Sequence, residues 1–352
     1  MNTDRSTTLA EHVRALEREE HFSGIFRATR GDEVILEWCQ GFANRADQVP
    51  VRPTTRFATA SLSKMFTAVG VLDAIGRGEV GLHDAVVDVL PADKRPSTLR
   101  DDVTVHHLLS HMSGIADYFE EDEDLPGYRE DYGSLWRGYP LHELRDYAAL
   151  LAMFGDLPPI CPPGSAYHYS NAGYVLLGVI LAEVSGMTFA DAMVTRVFAP
   201  AAMTKSGYPA VDEVHTDIAQ NYLAPEVAGA PWRTNIFSVP PVGGGDGGAV
   251  VTAEDVERFL RAVHHGGVWH LEPADVLTPR VRTWEDWHVG YGVDLRPDGV
   301  WGKEGADPGV LVISRYRPST DTTAVFLANV DDDAVEDLET LAYNLVNTAL
   351  DI

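Results

Sequence analysis

Two runs, Phe22-Ser-Gly-Ile-Phe-Arg-Ala-Thr29 and Glu33-Val-Ile-Leu-Glu-Trp-Cys-Gln40, decide the layout of the chain. Both are rich in β-branched and aromatic residues, and Arg30, Gly31 and Asp32 between them form a hairpin turn signal, so two antiparallel strands are predicted. Before them, residues 7–19 place Leu9, Val13 and Leu16 on one side at helical spacing, an opening amphipathic helix. Strand character returns only at the other end, at 288–295, 308–316 and 322–330, ahead of a closing helix at 333–350.

The middle is rich in Pro and turns, without sustained strand alternation. It carries helical patterns at 61–75 (with stops at Gly76 and Gly78), 105–110, 141–154 and 174–185. A glycine cluster at 243–248 breaks the chain before a helix whose N-cap is Thr252, with Asp255 at the third position. Strands at both ends with helices between them predict a two-part α+β fold. An antiparallel sheet flanked by N- and C-terminal helices forms a discontinuous α/β domain (1–60 and 245–352), a mostly helical domain (61–244) is inserted, and the site lies at their junction.

With 352 residues, 45% hydrophobic and 23% charged, the chain can bury a large core, which excludes a disordered tail, a disulfide mini-protein and a repeat fibre. Residues 174–187, the longest apolar stretch, are too short for a membrane span and contain Glu183. The first twenty residues are polar, so a cytoplasmic protein without signal or anchor is expected. Cys39 and Cys161 match no zinc spacing and read as two free thiols. A net charge of −26 repels a phosphate backbone, so nucleic acid is not an expected partner. The densest acidic run, 120–124, reads as a solvated loop.

Only four bases are Lys, at 64, 94, 205 and 303. Unlike Arg, Lys can give up its proton, so these positions draw chemical attention. Ser61 and Lys64 lie three apart at the start of a helix, on one face, near the positive end of its dipole. A serine hydroxyl becomes a nucleophile when a neighbouring base takes its proton, and a desolvated lysine can do so. In Tyr169-Ser170-Asn171, a phenol between two ammonium groups is expected to have its pKa lowered toward a general base, and Asn171 suits a substrate amide. In Lys303-Glu304-Gly305-Ala306, Gly305 allows close approach of a substrate backbone, and the Ala306 N–H is a candidate oxyanion donor. Each tripeptide alone also reads as structural, and Lys205-Ser206-Gly207 reads as a turn.

The three motifs, in this order and separation, resemble those of the serine β-lactamase and penicillin-binding superfamily, in its class C β-lactamase-like branch. Phe57-Ala58-Thr59-Ala60, Leu108-Leu109-Ser110-His111-Met112-Ser113-Gly114, Pro163-Gly164 and Gly247-Gly248 agree with it, and the resemblance spans about residues 20–345. It implies Ser61 as acylated nucleophile with Lys64 as partner, and Tyr169 as general base. Asn171, Glu304, Gly305 and Ala306 would contact substrate, Lys303 would sustain a positive field, and the N–H groups of Ser61 and Ala306 would form an oxyanion hole. No metal and no cofactor is implied, and the partner is a small-molecule substrate.

The resembling pattern usually has Thr or Ser where this chain has Glu304. A carboxylate there removes a donor and repels a substrate carboxylate, so esters, amides bearing a cationic group, or acyl-transfer substrates fit better than β-lactams. An acyltransferase and a non-catalytic ligand sensor remain as alternatives. His106, His107 and His111 lack the acidic residue of a metalloprotease motif and are not assigned to a metal. Tyr118, Phe119, Tyr128, Tyr132, Trp136 and Tyr139 are expected to pack the helical domain, some of them shaping the cleft entrance together with the 120–124 run.

Overall fold

The computed structural model describes residues 2–125, 127–227, 229–283 and 286–352, with the backbone alone for residues 2–6, 137, 147 and 148. The opening helix, α1 (Asn2–Glu17), buries Leu9 and Leu16 as their spacing predicts. The hairpin forms β1 (Gly24–Arg30) and β2 (Glu33–Gln40), with a bulge between Ala28 and Thr29. Next come α2 (Ser63–Gly76), α3 (Val105–Leu109), α4 (Asn171–Ser185) and α5 (Ala253–His265). The C-terminal strands are β3 (Val281–Arg282), β4 (His288–Val289), β5 (Asp294–Leu295), β6 (Trp301–Asp307), β7 (Val310–Arg317) and β8 (Thr322–Ala328), and α6 (Leu338–Asp351) closes the chain.

These strands form one eight-stranded antiparallel sheet in the order β2-β1-β8-β7-β6-β5-β4-β3, so the two chain ends meet where β1 pairs with β8, Gly24 opposite Ala328 and Arg30 opposite Thr322. The chain thus has the mixed α/β architecture that the strand distribution predicts. β8 is buried at every position because both faces of the sheet are covered. On one face α1 and α6 pack Leu16, Leu338 and Leu345 against Phe26, Ile313 and Phe326. On the other, Val312, Val325 and Leu327 join the larger core that contains Phe66, Phe198 and Phe259. Each such side chain contributes roughly 1.5–3 kcal/mol by leaving water.

Several boundaries differ from the sequence reading. Residues 141–154 are not one helix: Leu141–Glu143 and Tyr147–Leu150 are 3₁₀ turns, and only Leu151–Phe154 is α-helical. The 288–295 strand is split into β4 and β5, and the last helix starts at Leu338. Thr252 caps α5 by accepting from Asp255 N, while the Asp255 carboxylate accepts from Lys205 N and Ser206 Oγ at 2.9 Å, which fixes the Lys205 turn. Among the described residues no single helix is long and apolar enough to cross a membrane.

Candidate active site

The nucleophile turn is built before α2 begins. Ala58 pairs with Val250, Ala60–Leu62 forms a 3₁₀ turn, and Ala60 adopts φ 44°, a left-handed conformation that strains a side-chain-bearing residue. The turn is clamped by Thr59 N donating to Ala249 O (3.0 Å), Thr59 Oγ1 bonding Ser63 Oγ (2.6 Å) and Ala249 N donating to Ser63 Oγ (3.1 Å). Ser61 therefore sits on a rigid corner at the mouth of α2.

Lys64, one turn on, is completely buried and donates to three acceptors: Ser61 Oγ at 2.9 Å, Asn171 Oδ1 at 2.7 Å and Asp246 O at 2.9 Å. Burial disfavours the ammonium and the charge of Lys303 adds to this, so the amine is pulled down to about 8 despite the opposing fields of Asp246, Glu121 and Asp117. Asn171 Oδ1 and Asp246 O can only accept, so they occupy two N–H groups. The third position on the nitrogen points at the serine, as a proton below about pH 8 and as a lone pair above it.

Asn171 starts α4, where Ser170 Oγ accepts from Gly173 N and the buried Asp117 carboxylate accepts from Asn171 N (2.5 Å) and Ala172 N (3.2 Å). Burial nevertheless pushes the Asp117 carboxyl up to about 8. Asn171 Nδ2 donates to Glu121 Oε1 at 3.1 Å. Both ends of the Asn171 amide are thus committed to protein partners, so its observed contact is with Lys64, and the substrate amide grip expected from sequence requires breaking one of these bonds. Asp246 is held by the glycine loop, which packs so closely on α4 that a Cβ at Gly245 would lie 1.9 Å from Tyr174 O.

Tyr169 is placed as the motif predicts, with Lys64 Nζ 4.9 Å and Lys303 Nζ 5.4 Å from its ring centroid. Its expected pKa depression is not found. Burial raises the phenol well above its ordinary value and Glu121 adds to the shift, while a hydrogen bond with Ser61 opposes them, so Tyr169 is a neutral donor. The buried His111 ring stacks on it at 4.7 Å, and His111 Nδ1 accepts from Ser170 N at 3.0 Å.

The third motif lies on β6, whose side chains alternate between two faces. Lys303, Gly305 and Asp307 share the face toward the nucleophile turn. Gly305 is pressed against that turn: a Cβ there would lie 2.7 Å from Ser61 N and 2.5 Å from Thr59 O. The close approach that requires glycine is to the protein's own backbone, a partner the sequence reading did not identify. β6 pairs with β7 throughout but with β5 only at Trp301 and Gly302, so one backbone edge from Lys303 to Asp307, with Ala306, faces the cleft. Lys303 Nζ donates to both carboxylate oxygens of Asp294 at 3.1 Å, so a buried counter-ion stands beside the positive charge, which still acts on Lys64.

Glu304 points to the other face. Its carboxylate accepts from the guanidinium of fully buried Arg315 and from the hydroxyl of Tyr343 on α6. The guanidinium and ammonium beside it hold its carboxyl below the usual range against the effect of burial. Arg315 stands opposite Gly302 and reaches Glu304 diagonally across β6 and β7. The repulsion of a substrate carboxylate expected from sequence is therefore corrected, because this charge is neutralised and faces α6.

A cavity of about 690 Å³ adjoins Ser61, Tyr169 and Ala306. Of the aromatics named for the entrance, Tyr118, Phe119 and Tyr132 line it with Glu120, Glu121 and Asp122, whereas Trp136 packs behind them and Tyr128 and Tyr139 are exposed away from its lining. The 120–124 run is not simply a solvated loop. Glu120 is buried and pairs with His168 at 3.0 Å, and Glu121 holds Asn171. Sequence reasoning missed Asp117, Asp246, Asp294 and Asp307, all loop or strand-end carboxylates that no periodicity marks.

Comparison with known proteins places this geometry. The Beta-lactamase family model matches residues 9–347. Penicillin-binding protein 4* of Bacillus subtilis (strain 168) is 26% identical over 95% of this chain and 74% of its own length. Esterase EstB of Burkholderia gladioli is 28% identical over 71% of this chain and 67% of its own. A D-aminopeptidase of Brucella anthropi is 28% identical over 52% of this chain but 32% of its own. The solved penicillin binding protein from Bacillus halodurans superposes with a TM-score of 0.82 at 34% identity, covering 95% of this chain and 99% of that one.

Proposed function

The chain belongs to the Beta-lactamase family, and from that premise we propose that it is a serine hydrolase that forms a covalent acyl-enzyme on Ser61 and cleaves an ester or amide of a small molecule. The observation that carries this reading is the buried Lys64 amine, fixed by two pure acceptors with its remaining valence on the Ser61 hydroxyl. Relatives named as an esterase and a D-aminopeptidase support the same class.

In this mechanism neutral Lys64 takes the Ser61 proton as Oγ attacks the carbonyl carbon, and the oxyanion is received by the N–H groups of Ser61 and Ala306. Tyr169, neutral and hydrogen-bonded to Ser61, gives its proton to the leaving alcohol or amine as the carbon–heteroatom bond breaks, and regains one from the Lys64 ammonium. Water then adds to the acyl-enzyme and the steps run in reverse. With Glu304 turned to α6, no hydroxyl at that position meets a substrate carboxylate, so neutral and cationic acyl donors are favoured over β-lactams.

The test is turnover of 4-nitrophenyl butyrate. Wild type releases nitrophenol and Ser61→Ala does so at least about 10³-fold more slowly; no turnover by wild type, or equal turnover by both, rejects the reading. A second expectation concerns Gly305→Ala. The added methyl forces β6 away from the nucleophile turn, and kcat/KM falls by about 100-fold, since a shift near 1 Å is enough for such a loss. Near-wild-type kcat/KM for this variant would contradict the packing described.

A further inference from the structure

Six acidic residues line the cleft, Glu120, Glu121, Asp122, Asp246, Asp294 and Asp307, and Glu304 borders it with its carboxylate turned to α6. Most are already engaged: Glu120 with His168, Asp246 with the Tyr118 hydroxyl, Asp294 with Lys303, Glu304 with Arg315, and Glu121 with Asn171. Asp307 differs. It lines the cavity, is half-buried, and has no hydrogen-bond or ion-pair partner among the described residues.

Strand geometry fixes where it stands. Lys303, Gly305 and Asp307 share one face of β6, and Gly305 abuts Ser61 N. Asp307 is two residues further, about 7 Å along the strand from Gly305, just past the cleft-facing backbone of Ala306. A substrate whose carbonyl sits at Ser61 shares one cavity with this carboxylate. Tyr132 lines the same wall, its phenol feels the charges of Asp307 and Asp246, and it packs edge-on against Phe119 at 5.0 Å. An unpartnered carboxylate beside aromatic rings suits an organic ammonium, which combines ion pairing with cation–π contact.

We propose that Asp307, with the Tyr132 ring beside it, receives an ammonium group on the acyl substrate and so sets a preference of the Ser61 site for amino-bearing esters and amides. This rests on the hydrolase reading and adds the substrate class. The carboxyl is pushed up to about 7, first by burial and then by Asp246 and Glu121, against the pull of Lys64. A carboxylate so placed holds a proton or another cation in preference to standing bare, and a substrate ammonium supplies that cation.

The experiment measures binding, so it does not depend on turnover. On Ser61→Ala protein, calorimetry compares phenylalaninamide with 3-phenylpropanamide, and 4-aminobutanamide with pentanamide, each pair differing by the ammonium. At pH 8 the charged member of at least one pair binds 10-fold or more tightly than its neutral partner. That preference shrinks to twofold or less when Asp307→Asn is added, while 3-phenylpropanamide binding is unchanged. Equal affinities within both pairs, a preference that survives Asp307→Asn, or loss of neutral-ligand binding in that variant would each overturn the proposal. A failed ester assay beside a retained ammonium preference would instead indict the hydrolase reading.

Discussion

Lys64→Met is expected to lower kcat/KM for 4-nitrophenyl butyrate by about 10³-fold, within the range that general base catalysis supplies. Met keeps length and apolar bulk at a completely buried position, so the loss reports the amine. Wild-type pH dependence gives the same answer independently. Lys64 is protonated below about 8 and neutral above it, so kcat/KM rises with pH and levels off beyond 8. At pH 7 roughly a tenth of the amine is free to act. The rising limb disappears in Lys64→Met, which separates it from titration of Asp117, also pushed up to about 8. A stopped-flow pH series on both proteins checks this, and an unchanged limb in the variant would assign the base elsewhere.

Glu304→Thr is expected to destabilise the protein by about 3–5 kcal/mol, although it installs the residue usual in the resembling pattern. Arg315 is fully buried, and its guanidinium would lose its carboxylate partner. Tyr343 would lose its acceptor in the same step. Removing both charges relieves the penalty, so Glu304→Thr with Arg315→Met recovers most of the loss in chemical denaturation. If the single variant unfolds at the same denaturant concentration as wild type, the pair is not a structural counter-ion and Glu304 is available to substrate after all.

The origins of the two expectations differ. Ser61, Lys64 and Tyr169 were singled out because each lies in a short motif of consecutive residues and the ordered set of three motifs resembles a known pattern. The hairpin and the apolar 174–185 helix were legible for the same reason: their periodicity is written in consecutive residues. What sequence did not carry was set by burial and by long-range pairing. The phenol of Tyr169 goes up rather than down because desolvation, with Glu121, outweighs the hydrogen bond with Ser61, and no local pattern reports desolvation. Lys303 is paired with Asp294 across the β5–β6 turn, and Glu304 with Arg315 through strand register. Residues 141–154 looked helical by composition but are divided among short turns.

The central claim is a covalent bond between a substrate acyl group and Ser61. Intact-protein mass spectrometry after rapid acid quench of wild type with 4-nitrophenyl butyrate tests it, followed by peptide mapping. The account predicts one added butyryl group, located on the peptide containing Ser61 and absent from Ser61→Ala. An adduct on Lys64 or Tyr169, or nitrophenol release with no trappable adduct on any residue, would contradict it.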